Sequence, residues 1–146
     1  MEETSRNARK FEKDVKAALK SDGFTVKQFQ IRDDLLDYTG DSKKTGKQMG
    51  IDIKDKKITL PLIYALLHAS TAEQKTIRSI LKSSRKRAVK TSEVIAFVTS
   101  KGGLEYAKDV AEGFAAKAVA SIDPFPESAA KTSLIQLVDF VMNRQY

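Results

Sequence analysis

Apolar residues recur every three or four positions along most of this chain. That spacing places them on one face of an α-helix, and no stretch alternates apolar and polar residues as a half-buried strand does. Clusters of glycine, proline and serine separate the periodic segments and indicate where helices end. The pattern predicts an all-α chain with helices at 5–21, 25–38, 58–69, 72–84, 93–100, 104–121 and 127–144.

Polar residues at helix starts refine this prediction. Thr71 is the predicted N-cap of the fourth helix, and Glu73 in its first turn suits the positive end of the helix dipole. Thr91 or Ser92 is predicted to cap the next helix. The last helix carries an apolar stripe, and the tyrosines of the helical segments are predicted core or core-edge residues. These are Leu134, Leu137, Val138 and Val141 in the stripe, and Tyr38, Tyr64 and Tyr106.

Composition narrows the possible chemistry. The 146 residues suit one domain, and 41% of them are hydrophobic, enough for a core. There is no cysteine, which excludes disulfides, thiolate zinc sites and a cysteine nucleophile. The single histidine, His68, leaves little room for histidine-based sites. The longest strongly apolar run, 60–69, is shorter than the roughly 20 residues that a membrane span needs, so a soluble cytoplasmic protein is expected.

An acidic cluster stands out because the chain has a net charge of +7. In a helix, Asp33 and Asp37 share a face and Asp34 lies beside them. Their carboxylates would repel one another unless a cation neutralises them, and Mg²⁺ typically takes one or two carboxylates together with substrate phosphates. The alternative is an acidic helix face that meets water or pairs with lysines.

Segment 39–57 is the least periodic part of the chain and is predicted to be a long ordered loop. Loops of this length are usually functional or mobile. A lysine ammonium can bind phosphate oxygens directly, so this loop could close over a diphosphate beside the acidic cluster. A solvated loop is the alternative. Its lysines are Lys43, Lys44, Lys47, Lys54, Lys56 and Lys57.

The combined pattern resembles a known family. The motifs FQIRDDLLDYTGD, GK, GID, KITLPL and GGLEYA follow one another in this order. This order is similar to the second aspartate-rich region and the C-terminal helices of the polyprenyl synthetases, the trans-isoprenyl diphosphate synthases. The resemblance covers about residues 29–144 and implies a partial helical bundle of the isoprenoid synthase type, with about six to seven helices.

The resemblance also implies an activity. Members of this family are prenyltransferases that add isopentenyl diphosphate head to tail to an allylic diphosphate in isoprenoid biosynthesis. Magnesium, held by two aspartate-rich regions, draws away the allylic diphosphate. Carried over by position, the metal ligands and catalytic residues would be Asp33, Asp34 and Asp37.

Further site residues follow from the same resemblance. Lys47 and Lys57 would hold the substrate diphosphate, and Gln30 would line the substrate site. Asp52 would support the loop, and Phe29 would contribute to the wall around the prenyl chain.

The resemblance is incomplete at the N-terminal side. Complete members are more than twice as long and carry a first aspartate-rich motif upstream, whereas only 32 residues precede Asp33. Residues 1–28 are interpreted as a divergent N-terminal helical segment, and 29–146 as the C-terminal part of a polyprenyl synthetase-like domain. We expect the chain to be incomplete for catalysis alone, and to associate with a copy of itself or with a chain that supplies the missing half.

Two other functions stay open. One is a non-catalytic diphosphate-binding or partner subunit of the same family. The other is a nucleic-acid-binding helical domain, which is disfavoured because no aromatic residues interleave with the basic ones. A solvated basic face is the simpler interpretation of that cluster, which comprises Lys75, Arg78, Lys82, Arg85, Lys86, Arg87 and Lys90.

Overall fold

The computed structural model describes residues 24–39 and 49–143. They form α1 (Phe24–Thr39), α2 (Ile51–Lys54), α3 (Leu60–Leu67), α4 (Thr71–Lys82), α5 (Ser84–Ser100), α6 (Gly103–Ile122) and α7 (Ala129–Asn143). No strand occurs in these residues, and the all-α prediction is confirmed. The predicted helix at 5–21 lies outside the described residues, and the predicted loop at 39–57 contains the short helix α2.

α6 is the central helix of the described part of the chain. It packs against α1, α3 and α7. Ala107 and Ala111 of α6 are completely buried, and their small side chains let neighbouring helices approach closely. Leu35 of α1 and Leu60 of α3 join Ala107 in one apolar cluster. This cluster fixes the C-terminal half of α1 against the bundle, so that its polar face lies at the edge of the core.

A larger core connects α1 and α2 with α3, α4 and α5. Gly103, at the start of α6, lies so close to α3 that a Cβ atom would be 2.4 Å from the carbonyl oxygen of Pro61. Only glycine permits that approach. The buried members of this core are Tyr38, Ile53, Leu62, Ala65, Ile77, Ile80, Leu81, Val94 and Val98.

The N-cap of α4 is Ser70, so the prediction of Thr71 is wrong by one residue. The Ser70 hydroxyl accepts a hydrogen bond from the Glu73 backbone N–H at 3.3 Å. In return, the Ser70 backbone N–H donates to the Glu73 carboxylate at 2.8 Å. This reciprocal capping box needs a hydroxyl three residues before the glutamate, a spacing that Thr71 does not have.

α5 begins well before its predicted start. Ser83 is its N-cap and accepts a hydrogen bond from the Lys86 backbone N–H. Thr91, predicted as a cap, is buried within the helix, and its hydroxyl donates to the carbonyl oxygen of Arg87 at 2.6 Å. The helix is kinked at Lys90, where φ is −109° and ψ is 23°. The sequence signal for a new helix therefore marks a kink inside one helix.

Only part of the predicted apolar stripe of α7 is buried. Val138 and Val141 are buried, whereas Leu134 and Leu137 are each 49% exposed. Tyr38 is buried in the core as predicted. Tyr64 and Tyr106 stack on each other outside it, with ring centroids 4.2 Å apart. No helix in residues 24–39 or 49–143 is long and apolar enough to cross a membrane.

Candidate functional site

The acidic residues of α1 lie next to buried residues of the same helix. Leu35 and Tyr38 face the core, and this orientation leaves Asp34 and Asp37 half-buried at its edge and Asp33 exposed. The Tyr38 hydroxyl lies 3.0 Å from the Thr59 hydroxyl, which precedes α3. This hydrogen bond and the apolar contacts fix the direction in which the acidic face of α1 points.

Asp37 joins α1 to the segment that contains α2. One of its carboxylate oxygens accepts a hydrogen bond from the Ile51 N–H at 3.0 Å, and the other accepts one from the Asp52 N–H at 3.1 Å. Its carbonyl oxygen accepts a third from the Gly50 N–H at 2.9 Å. The first N–H groups of a helix have no partner within the helix, and Asp37 supplies acceptors for them from another part of the chain.

Lys57 is held next to this junction. Its ammonium group donates a hydrogen bond to the Asp52 carboxylate at 2.9 Å, and its backbone N–H donates to the Asp52 carbonyl oxygen at 2.8 Å. The Asp52 side chain is 14% exposed, whereas the Lys57 side chain is 62% exposed. The Lys57 ammonium is therefore held in an exposed position by the Asp52 carboxylate, which is itself nearly buried.

Three carboxylates of this cluster influence one another. The pKa of Asp34 is raised to about 6, chiefly by burial and then by the charge of Asp52; the charge of Lys57 lowers it and that of Asp37 adds a smaller increase. Burial also raises the pKa of Asp37, against the lowering effect of the N–H groups that it binds. The hydrogen bond to Asp52 raises the pKa of Lys57. The cluster holds more negative charge than Lys57 alone neutralises, which favours an additional cation.

Gly50 and Arg87 fix the α2 segment from the side of α5. Gly50 has φ of +73°, and a Cβ atom there would lie 2.1 Å from the methyl carbon of buried Thr91. The Arg87 guanidinium donates to the carbonyl oxygen of Lys54 at 3.0 Å and also to that of Leu81. Sequence reasoning missed Arg87 because it lies in a basic run, where its type alone does not distinguish it from its neighbours.

The structure brings together most of the residues that the sequence nominated. Asp34, Asp37, Asp52 and Lys57 form one cluster, and Asp33 lies beside it on the exposed side of α1. Gln30 is exposed about one turn earlier in α1. Lys47 lies outside the described residues, as does the side chain of Phe29.

The carboxylate oxygens of this cluster suit a metal ion that is bound jointly by the protein and by a substrate. In the described part of the chain, no three histidine or carboxylate side chains are placed to hold a metal ion by themselves. Carboxylate oxygens are nevertheless the ligands that Mg²⁺ prefers, and it commonly takes only one or two of them together with phosphate oxygens. The residues present therefore fit the protein half of a metal–diphosphate site.

Comparison with known proteins decides the family. The polyprenyl synthetase family profile matches residues 7–98, more than half of the chain. The chain belongs to the polyprenyl synthetase family. The resemblance inferred from its motifs is thereby confirmed.

Individual polyprenyl synthetases agree with this assignment. An octaprenyl diphosphate synthase of Haemophilus influenzae is 37% identical over 118 residues, which cover 81% of this chain and 36% of that protein. A short chain isoprenyl diphosphate synthase of Methanothermobacter thermautotrophicus is 36% identical over 118 residues, with the same shares covered. The chain thus spans about a third of the length of these curated relatives.

Solved polyprenyl synthetase structures share the fold. A polyprenyl synthase of Caulobacter crescentus, in complex with calcium and isoprenyl diphosphate, superimposes with a TM-score of 0.73 at 28% identity. That match covers 82% of this chain and 36% of the other. A geranylgeranyl pyrophosphate synthetase of Pyrococcus horikoshii superimposes with a TM-score of 0.73 at 30% identity over 80% of this chain and 35% of the other.

Proposed function

We propose that this chain supplies the diphosphate-binding half of a prenyltransferase site that condenses isopentenyl diphosphate with an allylic diphosphate. The observation that carries the proposal is the cluster of Asp34, Asp37, Asp52 and Lys57. The Caulobacter relative is in complex with calcium and isoprenyl diphosphate, and that supports the same ligand class here.

In this proposal, magnesium takes one or two carboxylate ligands from the set Asp33, Asp34 and Asp37, and the substrate diphosphate supplies further oxygen ligands. Asp37 keeps its two N–H contacts, because an ionised carboxylate has about four lone-pair sites and only two are used. Bound magnesium would stabilise the negative charge that develops on the leaving diphosphate.

The remaining residues position and neutralise the diphosphate. The exposed Lys57 ammonium binds phosphate oxygens while Asp52 restrains it, and Lys47 binds them from the neighbouring segment. Gln30 lines the substrate site, and Phe29 contributes to the wall around the prenyl chain. Asp37 joins α1 to the α2 segment, and the hydrogen bond between Tyr38 and Thr59 joins α1 to the start of α3, so that the charges are in place before the substrate arrives.

Catalysis requires a second group of charges on the other side of the substrate. We propose that another copy of this chain, or a chain with the missing half, supplies them. The exposed apolar side chains of α7 support association, because large exposed apolar patches mark interfaces. They are Leu134, Leu137 and Phe140, which are 49%, 49% and 59% exposed. A non-catalytic diphosphate-binding or partner subunit of the same family is the second candidate.

Calorimetric titration of the chain with a non-hydrolysable allylic thiolodiphosphate tests the binding proposal. We expect binding that requires magnesium and that is lost in Asp34→Asn. Asp109→Asn is the matched control, since Asp109 is an exposed aspartate on α6. Binding that is independent of magnesium, or equally weakened in both variants, would contradict the proposal.

A condensation assay separates the two candidates. The chain alone, with isopentenyl diphosphate, an allylic diphosphate and magnesium, is expected to form no product. Product formation after addition of a chain with the missing half identifies a catalytic subunit, and continued inactivity together with normal binding identifies a non-catalytic one. Product formed by the chain alone would show that its site is complete.

A further inference from the structure

The positive charge of this protein is concentrated in one short segment. Residues 75–90 contain seven of the 26 basic residues and none of the 19 acidic ones. The rest of the chain therefore has equal numbers of basic and acidic residues, and the net charge of +7 resides in this segment. Such a concentration produces a local positive field that the remainder of the molecule does not cancel.

The fold places the first of these residues on one face of α4. Lys75, Arg78 and Lys82 are three and four residues apart, so they project from one side of the helix. The residues that α4 buries occupy its opposite side. They are Ile77, Ile80 and Leu81. Lys75 and Lys82 are exposed and Arg78 is half-buried between them, so basic side chains line the side of α4 away from its buried residues.

The first turn of α5 extends this face. The Lys86 ammonium donates a hydrogen bond to the hydroxyl of Ser79 at 2.9 Å, and Ser79 is an exposed residue of α4. Arg85 is exposed beside Lys86. Arg87 is excluded, because its guanidinium binds backbone carbonyl oxygens. We name the remaining set the basic surface, and it consists of Lys75, Arg78, Lys82, Arg85 and Lys86.

Within residues 24–39 and 49–143, none of the five residues of the basic surface forms an ion pair with a carboxylate. Lys90, just beyond it, does pair with Glu93 at 2.9 Å. Val89 lies one turn after Arg85 and Lys86 in α5 and is 76% exposed, more than any other large hydrophobic residue described. The exposed apolar side chain of Val89 therefore lies beside basic side chains that form no ion pair with a carboxylate in the described residues.

We propose that the basic surface and Val89 dock the protein on the surface of an anionic phospholipid membrane. Lysine and arginine side chains near such a surface are attracted to its acidic headgroups, and an apolar side chain beside them can enter the boundary between headgroups and acyl chains. This is peripheral docking through the side of α4 and α5, and it needs no membrane-spanning helix.

A nucleic acid would also present phosphates, but the surface suits it less well. Residues 75–90 contain no aromatic side chain on which a base could stack. An exposed valine adds nothing to phosphate recognition, whereas it adds apolar contact with lipid. The combination of clustered charge and one protruding apolar side chain therefore favours a lipid surface over single-stranded RNA.

Co-sedimentation of the 146-residue chain with phospholipid vesicles tests this proposal. We expect binding to vesicles of phosphatidylglycerol and phosphatidylcholine, no binding to vesicles of phosphatidylcholine alone, and weaker binding as salt is raised. Each charge removed should weaken binding about fivefold, so Lys75→Gln with Lys82→Gln should weaken it roughly 25-fold. Val89→Ser should weaken vesicle binding without changing its salt dependence.

The matched control is Lys108→Gln with Lys117→Gln, which removes the same charge from exposed positions of α6. It should leave vesicle binding almost unchanged. Equal losses in the two double variants would show non-specific attraction and overturn the proposal. So would absence of binding to the acidic vesicles. Tighter binding to a single-stranded RNA oligonucleotide than to the vesicles, unaffected by Val89→Ser, would overturn it in favour of nucleic acid.

Discussion

The backbone N–H of Asp52 lies 3.1 Å from a carboxylate oxygen of Asp37, fifteen residues earlier in the chain. This contact places the Asp52–Lys57 pair beside the acidic face of α1. A residue nominated as a metal ligand therefore also holds the two parts of the candidate site together.

Asp37→Ala removes both acceptors that α2 receives from α1. We expect a loss of about 1 kcal/mol in the free energy of unfolding, because two lost hydrogen bonds outweigh the relief of repulsion between carboxylates. Urea denaturation measures that loss. Hydrogen exchange should accelerate at the amides of Ile51 and Asp52, whereas Asp109→Ala should leave both unchanged. Undiminished protection of the two amides would show that Asp37 does not cap α2.

Gly50→Ala should be more destabilising than Gly102→Ala. Both glycines have positive φ, +73° and +71°, but a Cβ atom on Gly50 would meet the Thr91 methyl group whereas one on Gly102 would meet nothing within 4 Å. We expect about 1 kcal/mol for Gly102→Ala and about 3 kcal/mol for Gly50→Ala, measured by urea denaturation.

A second substitution isolates the steric part of the Gly50→Ala effect. Thr91→Ser removes the methyl carbon but keeps the hydroxyl that donates to Arg87. In the Gly50→Ala background, it should restore part of the lost stability. If the double variant is no more stable than Gly50→Ala alone, the close contact with Thr91 is not the cause.

Arg87→Lys tests whether this arginine supports the α2 segment. Its guanidinium binds two carbonyl oxygens at once, and a lysine ammonium does not reproduce that fork. We expect about 1–2 kcal/mol lower stability in thermal or urea unfolding. Arg85→Lys, on the exposed side of α5, should change it by less than about 0.5 kcal/mol. Equal effects of the two variants would assign Arg87 to the solvated surface.

Glu73 provides a pH-dependent test that is independent of the candidate site. Its hydrogen bonds with Lys101 and Ser70 lower its pKa from 4.5 to about 2. A lowered pKa in the folded state means that this contribution to stability is complete above pH about 4.5 and is lost as the pH falls towards about 2. The stability difference between the wild type and Glu73→Gln should therefore shrink over that interval. A difference that is constant with pH would contradict this assignment.

Much of the fold could be predicted from the sequence because apolar periodicity reports directly on helices. The exact cap residues could not be read from the sequence. Ser70 and Thr71 both carry a hydroxyl group, and only the hydrogen bond with Glu73 distinguishes them. Thr91 is of a residue type that often caps helices, but here it is buried within α5 because its side chain packs against Gly50. The exposure of Leu134 depends on which helices pack against α7. The apolar pattern of α7 alone does not contain that information.

The candidate site, like the fold, could be predicted from the sequence only in part. The acidic residues could be nominated from their spacing on one helix, since local geometry places them together. The hydrogen bonds of Asp37 to α2 and of Arg87 to Lys54 connect residues that are distant in sequence. They depend on how α1, α2 and α5 pack, so residue type alone gave no indication of them.

The central claim is that the acidic face of α1 and the neighbouring α2 segment hold a metal ion together with a prenyl diphosphate. Nuclear magnetic resonance with manganese in place of magnesium tests this most directly, because the paramagnetic ion broadens the signals of nearby nuclei. With an allylic thiolodiphosphate present, we predict selective broadening of the amide signals of Asp33, Asp34, Asp37 and Asp52, and its reversal by excess magnesium. Broadening centred on another part of the chain, or none at these four residues, would contradict the account.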